Sequence, residues 1–211
     1  MDSAKTRFLT AIGHDMRQPL HALLLYLDAL DRRVKDADTR EVLNKADQAA
    51  QSLASMIEGL IQLARLDAGK VEAETERVSL QDLFDDLIAA SPQASADPTT
   101  LYVRSDPALL QIIVQQLLSN AVKHGGGKAR LSAMEENGAI EIRVRDDGPG
   151  IDATDHKRIF GEFVRLEGAA ATGLGVGLAI ADQLAALLNH RIEVRSKPGE
   201  GATFIVRAER A

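Results

Sequence analysis

The chain has 211 residues, with 25 basic against 31 acidic side chains, a formal net charge of −6 and no cysteine. A net acidic chain of this size holds one or two domains and argues against a nucleic-acid binder that relies on a basic surface. The missing cysteines exclude a disulfide scaffold, Cys-ligated zinc, an iron–sulfur cluster and thiol catalysis.

Apolar residues make up 45% and charged residues 27%, as in a folded globular chain. No apolar run reaches the ~18 residues that cross a bilayer, so no direct membrane contact is expected. The polar start, MDSAKTRF, contains no apolar signal core.

In the first third, Leu9, Ile12, Met16, Pro19, Leu23, Leu27, Leu30 and Val34 recur at steps of three and four. Leu43, Ala46, Ala50, Leu53, Ile57, Leu60 and Ala64 repeat the pattern. This spacing predicts two amphipathic helices, joined as an antiparallel hairpin by the polar stretch Lys35–Arg40. Such a hairpin cannot bury both of its faces. A second copy, giving a four-helix bundle across a two-fold axis, is the favoured completion; packing on the rest of the chain is the alternative.

The composition changes near residue 68. Gly69 is a candidate helix C-cap, and nearly all the glycines lie beyond it. Thr75–Ser79 is expected as a strand and Leu80–Ala90 as a helix capped by Ser79. Ser91–Thr100 is expected as a loop and Leu101–Arg104 as a strand. A helix should begin at Asp106-Pro107 and reach His124. Ala129–Glu135 and Ala139–Asp146 should form a hairpin at Asn137-Gly138, with Ile140, Ile142 and Val144 buried and Glu141, Arg143 and Arg145 opposite. Val176–Leu188 should be a helix, and Arg191–Arg195 and Thr203–Arg207 a last strand pair. The fold class is thus a helical hairpin followed by an α/β domain.

Four constellations stand out. In His14-Asp15-Met-Arg-Gln18-Pro19, the apolar seam places His14 and Gln18 on the exposed face one turn apart, and Pro19 bends the helix. Alone, this equally fits an exposed histidine with an incidental proline. Asn120, Lys123 and His124 fall at i, i+3 and i+4. An amide can ligate Mg²⁺ and the cations can meet phosphate, although cations at a helix C-terminus are common. Asp146-Asp-Gly148-Pro-Gly150-Ile151 ends an apolar strand. It offers a carboxylate beside permissive backbone, or simply an Asp-Gly turn. Gly173-Leu-Gly175-Val-Gly177-Leu178 leads into a helix, where backbone N–H groups can cradle phosphate, yet its spacing matches neither the P-loop nor the dinucleotide fingerprint.

Taken in order, these segments resemble the sensor histidine kinases of two-component signalling. His14–Leu20 looks like the family's phosphoacceptor box, and Asn120–His124 like its asparagine box. Asp146-x-Gly148-x-Gly150 looks like the first glycine box, and Ile159-Phe160-Gly-Glu-Phe163 like the phenylalanine box. Gly173-x-Gly175-x-Gly177-Leu and Gly199-x-Gly201-Ala-Thr-Phe look like the last two glycine boxes. The resemblance covers nearly the whole chain.

It implies a dimerisation and histidine-phosphotransfer domain over 1–68 and an ATP-binding domain of the gyrase/Hsp90/histidine-kinase/MutL type over 69–211. It implies ATP and Mg²⁺ as cofactors, Asn120 as metal ligand and Asp146 as reader of the adenine amino group. Lys123, His124, Gly148, Gly150, Ile151, Gly173, Gly175, Gly177 and Leu178 are carried over as nucleotide-binding positions. His14 is implied as phosphoacceptor with Asp15 beside it, the homodimer and a response-regulator receiver domain as partners, and the cytoplasm as location, with no nucleic acid. Gln116 stands where the family usually has a second Asn, and Gln18 where Thr or Asn is commoner, which leaves receiver phosphatase activity open. The alternative is a degenerate kinase acting as a nucleotide-binding scaffold.

Overall fold

The computed structural model describes residues 19–31, 34, 36–67, 71–166 and 175–211; the expectations for His14, Asp15, Gln18, Gly69 and Gly173 lie outside the described residues. The chain divides into two compact units, Met1–Val71 and Glu72–Ala211.

In the first unit, helix α1 runs through residues 19–31 and α2 is Ala37–Asp67. Leu20 and Leu27 of α1 bury against Ala50, Ile57 and Ile61 of α2, with Leu24, Leu43 and Ala54 packed around them. The stretch Lys35–Arg40, expected as the connecting turn, is already helical from Ala37. Asp36 caps that helix: its Oδ2 accepts from the Thr39 N–H at 2.9 Å and the Thr39 hydroxyl at 2.7 Å. The expected apolar seam divides. Leu27, Ala50, Ile57 and Ala64 are buried, while Leu23, Leu30 and Leu53 stay 45%, 50% and 48% exposed. One face of the hairpin is therefore satisfied internally and the other is left apolar and uncovered.

The second unit is built from β1 (Glu76–Ser79), α3 (Leu80–Ala90), β2 (Ala94–Ala96), β3 (Tyr102–Ser105), α4 (Pro107–His124), β4 (Ala129–Glu136) and β5 (Ala139–Asp146). After a short 3₁₀ turn, Arg158–Phe160, come α5 (Gly177–Leu187), β6 (Arg191–Ser196) and β7 (Ala202–Glu209). β1 and β3 form a small antiparallel pair. The main sheet has the order β2-β4-β5-β7-β6, with only the β2–β4 pairing parallel.

Its core is a helix–sheet interface. Ile140, Ile142 and Val144 of β5, Leu131 of β4 and Phe204 and Val206 of β7 are fully buried. Leu110, Ile113, Val114 and Leu117 of α4 and Ile180 and Leu184 of α5 close over them. Each such large side chain contributes about 1.5–3 kcal/mol by burial. Asp106 starts α4 as expected. Its Oδ1 accepts from Leu109 N–H at 2.9 Å, and its Oδ2 accepts from Glu74 N–H at 2.9 Å, tying the helix start to the chain leading into β1.

Two expectations are corrected. Residues 91–100 are not a plain loop: Ala94–Ala96 forms β2, in register with Ala129–Leu131. An Ala-Ser-Ala strand has little β-propensity of its own and exists because β4 offers it a free edge. Glu141, expected on the solvent side of β5, is only 1% exposed. Arg143 and Arg207, the latter directly across on β7, close over its carboxylate. Burial pushes that carboxyl up, but the guanidiniums of Arg143 and Arg207 outweigh it and hold it below the ordinary glutamate value.

Candidate functional site

The site is organised around Asp146, the last residue of β5. An apolar strand flanked by β4 and β7 carries its carboxylate to the sheet end, where only 6% of the residue remains exposed. One oxygen is fully used: Oδ1 accepts from the N–H of Gly148 at 2.9 Å and of Ala202 at 3.2 Å. Among the described residues nothing donates to Oδ2. Burial raises the Asp146 pKa above the ordinary value and the Asp147 charge adds to this, against the two backbone hydrogen bonds. Asp146 is thus a half-satisfied buried carboxylate with one oxygen available to an incoming donor.

Glycines wall this carboxylate. A Cβ at Gly125, the residue after α4, would collide with the Asp146 side chain itself. A Cβ at Gly148 would stand 2.6 Å from Gly125 Cα and 2.9 Å from Asp146 Oδ1. Backbone therefore closes on the carboxylate from two sides, with no room for a side chain at either glycine. Gly125 was missed by the sequence reading, although the run Gly125-Gly126-Gly127 directly after the asparagine segment was the available signal.

Gly148, Gly150 and Ile151 lie on the chain leaving β5, which is pinned to the β6–β7 turn. Ile151 N–H donates to Ser196 Oγ at 2.8 Å, and that hydroxyl donates to the Gly201 carbonyl at 2.6 Å. Gly199 N–H donates to the Pro149 carbonyl at 2.7 Å. Gly150 has φ +74° and no room for a side chain against the Lys197 carbonyl. Ser196 is a second residue that the sequence did not single out, because its partners are 45 and 5 positions away.

Asn120, Lys123 and His124 occupy the end of α4. His124 lies near Asp146; burial, then Lys123 and Arg165, lower its imidazole pKa against the pull of Asp146. Lys123 lines a groove between α3 and α4 together with Leu87, Ser91, Gln115 and Ser119. Among the described residues no group of three His, Cys, Asp or Glu side chains could hold a metal ion. Asn120 offers a single neutral amide oxygen, which fits a hard divalent cation held mainly by a ligand's own phosphates and water.

Gly175, Gly177 and Leu178 stand at the start of α5. The N-cap position, Val176, makes no side-chain hydrogen bond, and among the described residues no side chain caps the first turn of α5. Gly175 takes φ +71° and sits directly on the Val164 carbonyl. Of the phenylalanine segment, Ile159 is buried and Phe160 packs edge-on to Phe204 at 6.4 Å between centroids. Phe163 is 55% exposed with φ +60°, a costly conformation for a bulky side chain.

Comparisons with known proteins identify the family. Residues 4–69 match the family model "His Kinase A (phospho-acceptor) domain". Residues 105–211 match "Histidine kinase-, DNA gyrase B-, and HSP90-like ATPase". The sensor histidine kinase YcbM of Bacillus subtilis is 32% identical over 99% of this chain and 73% of its own length. The sensor-like histidine kinase SenX3 of Mycolicibacterium smegmatis is 31% identical over 97% of this chain, which spans 57% of that protein. Among solved structures, full-length ShkA in complex with AMPPNP superposes with a TM-score of 0.75 at 26% identity, over 97% of this chain and 46% of that one.

Proposed function

Because this chain belongs to the sensor histidine kinases, we propose that it is the autokinase core of a two-component system. On this reading residues 1–68 carry the phosphoacceptor His14, and residues 69–211 bind ATP. The observation that carries the nucleotide half is Asp146: a buried carboxylate with one unclaimed oxygen, packed against the backbone of Gly125 and Gly148. That oxygen accepts from the adenine amino group. The start of α5 faces the phosphates with the N–H groups of its first turn, where the N-cap residue Val176 makes no side-chain hydrogen bond. Mg²⁺, with Asn120 among its ligands, would supply charge neutralisation at the phosphate oxygens.

The neutral His14 imidazole then attacks the γ-phosphorus in line. The bond to the bridging oxygen of ADP breaks, and the imidazole proton passes to Asp15. In the second step a receiver aspartate takes the phosphoryl group and the histidine is restored. Gln18, which the sequence spacing puts one helical turn on from His14, orients a water for the separate task of dephosphorylating that receiver. The exposed apolar side chains Leu23, Leu30 and Leu53 support a homodimer through the hairpin. No helix among the described residues is long and apolar enough to cross a membrane, and we place this core in the cytoplasm, where ATP is.

The test is incubation of the chain with γ-labelled ATP and Mg²⁺, followed by acid and base treatment. The expected product keeps its label in base and loses it in acid, as a phosphoramidate does. His14→Ala is expected to remove the label and leave ATP binding intact. Acid-labile label persisting in that variant would refute His14 as the acceptor.

A further inference from the structure

Gln116 lies one helical turn before Asn120 on α4, so the two amides share a face. Its amide oxygen comes to 2.8 Å from where a Cβ at Gly177 would stand, and its Cδ to 3.8 Å. Gly177 is the first residue of α5, and the N-cap residue Val176 makes no side-chain hydrogen bond. The Gln116 amide thus reaches from α4 to the first residue of α5. A shorter amide would leave a gap at this place, and any side chain at residue 177 would push the glutamine out.

From this contact we propose that Gln116 is a positioning residue for nucleotide binding: its amide, seated on Gly177, sets the spacing between Asn120 on α4 and the phosphate-facing start of α5. Gln116 and Gly177 act as a matched pair. The inference rests on the reading of α4 and α5 as the two sides of the nucleotide site. It gives Gly177 a role distinct from freedom of the backbone, since its φ is not in the left-handed region. An alanine there suits a helix better than glycine and needs only the far end of a flexible side chain to move. Gly177→Ala should therefore fold well while displacing the Gln116 amide.

The experiment is a double-mutant cycle on the whole chain, read by calorimetric titration with a non-hydrolysable ATP analogue and Mg²⁺, by melting temperature, and by KM and kcat for self-labelling. Gln116→Ala and Gly177→Ala are each expected to weaken analogue binding by about fivefold, the scale of one ordinary polar contact. The loss should fall on KM rather than kcat, with melting of Gly177→Ala unchanged or raised. The double variant should lose no more than either single one. Gln116→Asn, which keeps the amide on a shorter arm, should fall between the parent and Gln116→Ala. Additive losses, unchanged affinity in either single variant, or losses that follow melting temperature would overturn the pairing while leaving the nucleotide site standing. A parent chain that binds no analogue would overturn both.

Discussion

Replacing Asp146 by Asn tests the adenine reader at the level of single atoms. In the parent, Oδ1 takes two backbone N–H groups, from Gly148 and Ala202, and Oδ2 is left for the ligand. An asparagine must keep its one oxygen on those two donors, since turning it would set its NH₂ against them. Its NH₂ then occupies the Oδ2 position and faces the adenine amino group donor to donor. The variant loses a charge-assisted acceptor, worth about 1.5–3 kcal/mol, so affinity should fall by ~10–100-fold. Stability should hold, because the shape and both backbone hydrogen bonds persist and a carboxylate whose burial is unfavourable is removed. Calorimetry with ATP and a thermal melt measure the two quantities. Unchanged ATP affinity in a well-folded Asp146→Asn protein would refute the assignment. The same chemistry has a pH signature: because the Asp146 pKa is raised, nucleotide affinity should decline on acidification before ordinary carboxylates titrate.

Three further outcomes are expected. The chain should be dimeric by light scattering at micromolar concentration, and Leu23→Glu should shift it toward monomer by placing a charge in the uncovered apolar face; a parental monomer would count against the bundle. Gln18→Ala should leave labelling of His14 within a few-fold while slowing receiver dephosphorylation by ~10-fold, as for other water-positioning groups; a parental rate in that assay would remove the role. His190 is buried, its Nε2 lies 2.9 Å from Ser105 Oγ, and burial lowers its pKa, so the fold favours its neutral form. Its folded pKa lies below its unfolded one, so the unfolded chain binds the proton first on acidification. Melting temperature should fall as pH drops from the ordinary histidine value through the lowered one, and His190→Gln should flatten that slope; a pH-independent melt in the parent would contradict it.

Much of this was legible because the signals are local. Asn137-Gly138 marks a two-residue turn with positive φ at both positions, and the structure has φ +53° and +78° there. Asp106-Pro107 marks a helix start through a cap and a fixed φ, and the structure has both. What escaped notice depends on partners distant in sequence. β2 is a strand only because β4 lends it an edge. Glu141 is buried by Arg207 across a strand pair 66 residues apart, so alternation along β5 placed it in water. Gly125 matters because Asp146 arrives against it from another element. Likewise, no spacing rule brings Gln116 to Gly177. The readings of His14, Asp15 and Gln18 rest on the resemblance of the ordered segments, since the seam alone fits an exposed histidine equally well, and they lie outside the described residues.

The contact of Gly175 with the Val164 carbonyl closes the chain on itself at the base of the segment between those two residues. Further upstream, Ile151 is fastened to Ser196. The chain leaving Asp146, at Ile151, and the chain entering α5, at Gly175, are therefore each fastened by a contact of their own. Insertions between Val164 and Gly175 should cost little more than loop-closure entropy, about 0.6 kcal/mol for each doubling of length. The chain between these two residues can then diverge in length and composition between paralogues while the contacts that fasten Ile151 and Gly175 stay the same.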